Sequence, residues 1–335
     1  MGTKIKAIAS FLPANQLDNT MLSTEFPHIS ALEVFKQSGV KNRHLANDDE
    51  TPSDLAFFAA EALFSQYEGE RHNIDALIFC SEGLDYKAPA TACILHQRLD
   101  LKASCLALDI PSGCTGFVNG LLVAKSLISQ DNINNVLLLT AEIPTRVIDN
   151  EDLYLRALFG DGACATLITS SSKEKIGNFV FGTDGSGAEF LWVERSGFRN
   201  PANSAWLEQN HHDPKQMKLG KMIMDGQQIL HFCLTHVPML VKETLMKNQM
   251  TEDDIDLFVF HQASDIILRS LRRKCRIPEG KFFVCLEDTG NTVSSSIPLA
   301  LNEALRKGIL KSASKVMLVS FGVGLSWAAT IVDID

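Results

Sequence analysis

IDALIFCSE, residues 74–82, returns as IDLFVFHQA at residues 255–263, with isoleucine, aspartate, an aliphatic residue and phenylalanine in matching places. A second echo follows in the same order. FGDGACATLITS, starting at Phe159, resembles FGVGLSWAATIVDI, starting at Phe321, although the later copy carries two more residues after its glycines. Between these pairs each half holds a turn, a helix and an apolar strand. In the first half Cys114 opens the helix that leads to NNVLLLTAE, and in the second DTGNTVSSSIPLALNEALRKG leads to SKVMLVSFG. Asn291 therefore occupies the place in its half that Cys114 occupies in the other.

The strands ALIFC, VLLLTA, LFVFH and KVMLVS are continuously apolar instead of alternating, which predicts strands covered on both faces. Their alternation with helical segments predicts an α/β fold built of βαβ crossovers, with mixed sheets and helix layers. The halves divide near TSSSKEK, giving units of 1–172, with the cysteine, and 173–335, with His261 and Asn291. Residues 196–220 are polar and read as an excursion from the repeat.

Composition narrows the function classes. The 335-residue chain is 45% hydrophobic and 21% charged, which is ordinary for a globular protein large enough to hold two domains. A formal net charge of −9 argues against nucleic acid as the main partner, because phosphate binding needs a basic footprint. No run of about 18 uncharged apolar residues appears, so no membrane span is expected. MGTKIKAIASFLPANQ lacks a signal-peptide pattern, and the expected location is cytoplasmic. The eight cysteines show no CxxC pair, and His231 and His236 are spaced five apart, off the face of a metal-binding helix. No metal site is expected.

Cys114 sits in DIPSGCTGF at the start of an apolar helix, where unpaired N–H groups and the macrodipole favour thiolate over thiol. His261 ends a buried strand, the end at which α/β sheets place their sites. Asn291 follows Gly290, and the Gly322 to Gly324 turn can aim N–H groups at a developing oxyanion. Singly, each has a plainer reading as a packed thiol, a structural histidine or a turn. Pseudo-symmetry brings all three to one place, which the plainer readings do not explain together.

In order and spacing, DIPSGCTGF, FHQAS, DTGNTVSSSIP and SFGVGLSW resemble the active-site segments of the β-ketoacyl-ACP synthase III family, with GVKNRH and FGDGACA extending the resemblance over nearly the whole chain. The resemblance implies a thiolase-like, five-layered αβαβα fold and a homodimer. It implies Cys114 as nucleophile, His261 and Asn291 as the pair that holds a malonyl-type extender thioester, and an oxyanion hole from Cys114, Gly322, Val323 and Gly324. The resemblance further implies a decarboxylative Claisen condensation, an acyltransferase step of fatty acid biosynthesis expected to need no metal or redox cofactor. Thiolases share the fold but use a second cysteine, where this chain offers Ser326.

The chain departs from the family in several places. Glu33 and Gln37 stand where many members carry the tryptophan and arginine that clamp the adenine of coenzyme A; Ile266 and Leu153 replace further basic residues, with Arg156 near the latter. Ala88 stands where a bulky aromatic usually floors the acyl pocket, which predicts room for a longer chain. Meanwhile Arg269, Arg272, Arg273, Lys274 and Arg276 form a basic cluster suited to an acidic acyl carrier protein. Acyl and malonyl-type thioesters are therefore expected on a carrier protein, with coenzyme A thioesters as the other donor class. An acyltransferase that moves the Cys114 acyl group to oxygen or nitrogen without condensation is the second reading.

Overall fold

The computed structural model describes residues 2–130, 132–200 and 220–334, so residues 201–219 of the polar excursion lie outside the described residues. The first half runs β1 (Gly2–Phe11), β2 (Asn15–Asp18), α1 (Asn19–Glu25), α2 (Ala31–Ser38), β3 (Asn42–Leu45), α3 (Pro52–Gln66) and β4 (Ala76–Cys80). It continues through α4 (Thr91–Arg98), β5 (Leu106–Ile110), α5 (Gly116–Ile128), β6 (Asn135–Glu142), α6 (Leu153–Leu158) and β7 (Gly162–Ser171). The second half has β8 (Val180–Thr183), the short pair β9 (Leu191–Trp192) and β10 (Ile223–Met224), then α7 (Gly226–Lys247), β11 (Leu257–Phe260) and α8 (Asp265–Lys274). It closes with β12 (Phe282–Phe283), α9 (Ser296–Arg306), β13 (Lys315–Gly322) and β14 (Ser326–Asp333).

One five-stranded sheet has the order β1-β7-β6-β4-β5 and the other the order β12-β11-β13-β14-β8. Read from opposite ends, they match strand for strand. The matched positions pair β4 with β11, β6 with β13 and β7 with β14, the same segments that echo each other in sequence. In each half two parallel pairings surround the strand that carries the repeat, and an antiparallel strand follows.

Five layers follow from which faces are apolar. Ile78 of β4, Leu138 of β6, Val259 of β11 and Leu318 of β13 share one core with Phe117 and Leu121 of α5 and Ile297 and Leu301 of α9. These two helices thus lie between the sheets, and α5 comes close enough that a Cβ at Gly120 would stand 2.6 Å from Leu138 Cδ1. The other face of β4, Leu77 and Phe79, packs under α3 and α4, while Phe258 and Phe260 of β11 pack under α7 and α8. Both faces of these strands are buried, which is why their sequences do not alternate.

The seam between the halves is tied by main chain. Asn291 N–H donates to the Leu158 carbonyl at 2.9 Å, and Gly160 N–H donates to the Asn291 carbonyl at 3.2 Å. Gly290 makes that approach feasible. Its φ is +66°, and an added Cβ would lie 2.7 Å from the Leu158 oxygen. Gly290→Ala should therefore lower the unfolding free energy by about 1–3 kcal/mol, measured by urea denaturation, through combined strain and overlap; an unchanged midpoint would show that the seam relaxes freely.

Candidate active site

The two pseudo-equivalent turns and the end of β11 converge on one cleft. Cys114, His261, Asn291, Phe321 and Gly322 line it together, and Leu158, Leu191, Met224, Ile229 and Ile267 make much of the remaining wall apolar. It is narrow, about 40 Å³. Cys114, His261 and Asn291 are all buried.

Cys114 lies just before Thr115, the residue that caps α5. A Cβ at Gly322 would stand 2.6 Å from both Cβ and Sγ of Cys114, so only glycine lets the last turn press against that thiol. The N–H groups of Val323 and of Cys114 itself face the sulfur. Thr115 Oγ1 and Ser326 Oγ lie 3.0 Å apart, and Ser326 donates to the Val323 carbonyl at 2.8 Å. Ser326, the residue in the place of a second thiolase cysteine, thus braces the turn that carries the Val323 donor.

The helix start does not make a stable thiolate. Burial, then the charge of Glu82, pushes the Cys114 thiol up to about 12, against the lowering by the Val323 N–H. Desolvating a thiolate outweighs what a helix end offers it. The expectation of a ready thiolate at this helix start is not met: burial favours the thiol form of Cys114.

His261 is held by its backbone, whose N–H donates to the Val319 carbonyl at 2.8 Å, and by its ring, whose Nδ1 lies 2.6 Å from Ser296 Oγ. Burial drives its pKa down to about 3. The ring is neutral at physiological pH, and when the Ser296 hydroxyl donates to Nδ1 the single ring proton resides on Nε2. Asn291 Oδ1 accepts from Val293 N–H at 2.9 Å, and Nδ2 donates to the Ala263 carbonyl at 3.2 Å. That fixes the amide's orientation and leaves its second N–H for a ligand.

Other expected residues lie elsewhere. Ala88 is on the exposed 82–90 loop and does not line this cleft. The helix carrying the basic cluster ends at Lys274, so Arg276 lies beyond it with φ +56°. Arg269 pairs with Asp265, and Arg272 leans toward Glu279 and the Ile277 carbonyl, whereas Arg273 and Lys274 are exposed. Glu33 forms the capping box of α2 with Ser30, a local structural reason for a carboxylate there.

Sequence reasoning missed Ser296, Cys233 and two carboxylates, Glu82 and Glu142. Cys233 shares the cleft with Cys114. Each carboxylate follows or closes an all-apolar buried strand, in FCSE and LLLTAE, and an acid placed at such a strand end was the available signal.

Two family models match, 3-oxoacyl-[acyl-carrier-protein] synthase III over residues 108–185 and its C-terminal counterpart over residues 245–334. The β-ketoacyl-[acyl-carrier-protein] synthase III of Clostridium beijerinckii is 32% identical over 98% of this chain and 98% of its own length. A crystal structure of a 3-oxoacyl-(acyl-carrier-protein) synthase III superposes with a TM-score of 0.94 at 38% identity, covering 100% of both chains. A 3-oxoacyl-(acyl-carrier protein) synthase from Burkholderia xenovorans LB400 gives 0.91 at 34% identity, over 100% of this chain and 94% of that one. With the cysteine, histidine and asparagine gathered at the seam of a duplicated fold, the chain belongs to the β-ketoacyl-[acyl-carrier-protein] synthase III family.

Proposed function

We propose that the protein is a condensing acyltransferase that joins an acyl group held on Cys114 to a malonyl-type thioester. The observation that carries this reading is the neutral His261 ring beside the oriented Asn291 amide, two uncharged donors in the same cleft as the thiol. In the first half-reaction the Cys114 thiol attacks an acyl thioester: a new C–S bond forms as the carrier's C–S bond breaks, the Cys114 proton passes to the departing carrier sulfur, and one thioester is exchanged for another. In the second, the bond from the malonyl α-carbon to its carboxylate breaks, CO2 leaves, and the electron pair passes into an enolate. Its oxygen is met by His261 Nε2–H and Asn291 Nδ2–H. The α-carbon then attacks the acyl-Cys114 carbonyl, whose oxygen is received by the N–H groups of Val323 and Cys114, and collapse expels the sulfur.

A histidine with its pKa near 3 is a poor base at neutral pH. The donor role fits it better.

Two further features bear on partners. β5 is an edge strand whose Leu106 is exposed, and Leu84 and Tyr86 on the adjoining loop are exposed too. Pairing of this edge with a second copy would cover them and bring Ala88 of one subunit toward the other's acyl pocket. Arg273 and Lys274 offer an acidic carrier protein its first contact, since their side chains are not committed to the helix's own ion pairs. Glu33, Gln37 and Ile266 supply no stacking surface or cation for an adenine nucleotide.

Incubation with a competent acyl thioester should add the acyl mass to Cys114, and Cys114→Ala should abolish the adduct. His261→Ala and Asn291→Ala should each lower condensation by about 100- to 1,000-fold, the cost of one lost oxyanion donor, with acylation within about tenfold of native. Acylation at another cysteine, or acyl transfer to alcohols with no CO2 released from a malonyl thioester, would overturn the reading. For the carrier, the double variant Arg273→Glu, Lys274→Glu should raise KM for carrier-bound donors roughly tenfold at low salt and leave small thioesters unchanged. Native use of coenzyme A thioesters should be slower by about tenfold, about 1.4 kcal/mol of differential binding; equal KM values for the double variant and the native chain would remove this surface from the docking role.

A further inference from the structure

Two of the residues that line the cleft are exposed, Tyr154 in the first turn of α6 and Gly226 at the start of α7. Met224 and Ile267 are half-buried, and the rest of the lining is buried. This gradient places the mouth between the two helix starts, with Cys114, His261 and Asn291 at the buried end. Gly226 leaves its side of the mouth open, since a Cβ there would meet nothing within 4 Å. On the other side stands the Tyr154 ring. Tyr154 and Leu158, one turn apart, share the face of α6 that lines the cleft.

The space between them is about 40 Å³, against the roughly 300–1,000 Å³ of cavities that hold small ligands. A side chain must therefore move before a thioester reaches the sulfur, and most of the wall is fixed. Leu158, Ile229, Cys233 and Phe321 belong to one buried core, with Met224 and Ile267 packed against it. His261 and Asn291 are held by hydrogen bonds to Ser296, Val293 and Ala263. Tyr154 differs from all of these. It is 43% exposed, it belongs to none of the core clusters, and among the described residues its hydroxyl has no hydrogen-bond partner. Leu155 and Leu158 are buried and anchor α6, so rotation of the ring about its own side-chain bonds is the least costly way to widen the cleft. Among the described residues no charged side chain lines the cleft, and the Tyr154 hydroxyl is the one polar side-chain group at its mouth.

We propose that Tyr154 is the specificity-determining gate of this cleft: its ring closes the mouth at rest and turns aside to pass slender, uncharged thioesters while excluding bulky ones. Bulk beside the reacting carbonyl then decides which donors reach Cys114, in addition to the surface of the carrier. The inference deepens the proposed acylation of Cys114 and rests on it, but its test reads access to the sulfur without acyl chemistry.

Two maleimides of the same reactive group and unequal width, N-methylmaleimide and N-(1-pyrenyl)maleimide, report that access when the Cys114 adduct is located by peptide mass mapping. Tyr154→Ala should speed the pyrenyl reagent by about tenfold or more and the methyl reagent by no more than about threefold, since forcing bulk through a packed opening costs what overpacking costs. Tyr154→Phe keeps the ring and should hold the ratio of the two rates within about twofold of native, because the barrier is steric. Ile267→Ala trims the core-packed side of the same mouth and should move the ratio less than Tyr154→Ala does. An unchanged ratio in Tyr154→Ala, or an equal shift in Tyr154→Phe or Ile267→Ala, would overturn the proposal. New label on Cys80 or Cys164, both buried outside the cleft, would also overturn it by showing that Tyr154→Ala loosens the whole fold. If the ratio shifts as stated while no thioester acylates Cys114, the gate stands and the proposed function falls.

Discussion

Exclusion of water from the seam between the halves is the constraint on which the site depends. It acts on every reactive group there, and the signs differ. It opposes charge on Cys114, raising the thiol, and it opposes charge on His261, lowering the imidazole. The same desolvation that makes the sulfur reluctant to ionise makes the histidine a lasting neutral donor. In the proposed reaction an enolate oxygen formed in such a place would be stabilised by fixed N–H dipoles that need no reorganisation, the source of strength for an uncharged His261 and Asn291 pair.

The halves are laced together by polar contacts around the site. Asn291 exchanges main-chain hydrogen bonds with Leu158 and Gly160, Ser294 reaches Glu142, Ser295 reaches Thr140, and Thr115 meets Ser326. Each link joins one half to the other. These links carry a stability cost that depends on pH. His261, with its folded pKa below the unfolded value, costs stability as pH falls below about 6.5, because the unfolded chain then takes up a proton that the folded one refuses. Glu82 and Glu142, raised above their unfolded value, act in the opposite direction and cost stability as pH rises beyond about 4.5.

The duplication made much of the fold legible. Repeated apolar strands at β4 and β11, β6 and β13, and β7 and β14 carry the topology in their order, and the sheets reproduce that order in mirror sequence. Cys114, His261 and Asn291 stand out in the sequence because each follows from a strand end or helix start that the repeat locates, and the structure gathers them in one cleft. What stayed hidden depends on three-dimensional burial. A helix start in sequence promises a thiolate, but the sequence does not state how much water remains beside it, and here almost none does. Glu82 and Glu142 lie far apart in the chain and meet only because β4 and β6 are neighbours in the sheet. The basic cluster reads as one run, yet the helix ends at Lys274 and two of its arginines are already engaged.

The charge state of His261 is the point on which the chemistry turns. Selective nitrogen-15 labelling of histidine in the full-length native protein, with His261→Gln to assign the resonance, would follow the ring from pH 5 to pH 9. A ring that stays neutral across the whole range with its proton on Nε2 is the expected result. Protonation of His261 with a midpoint between pH 5 and 8, or a neutral ring carrying its proton on Nδ1, would contradict its role as an uncharged donor to the enolate.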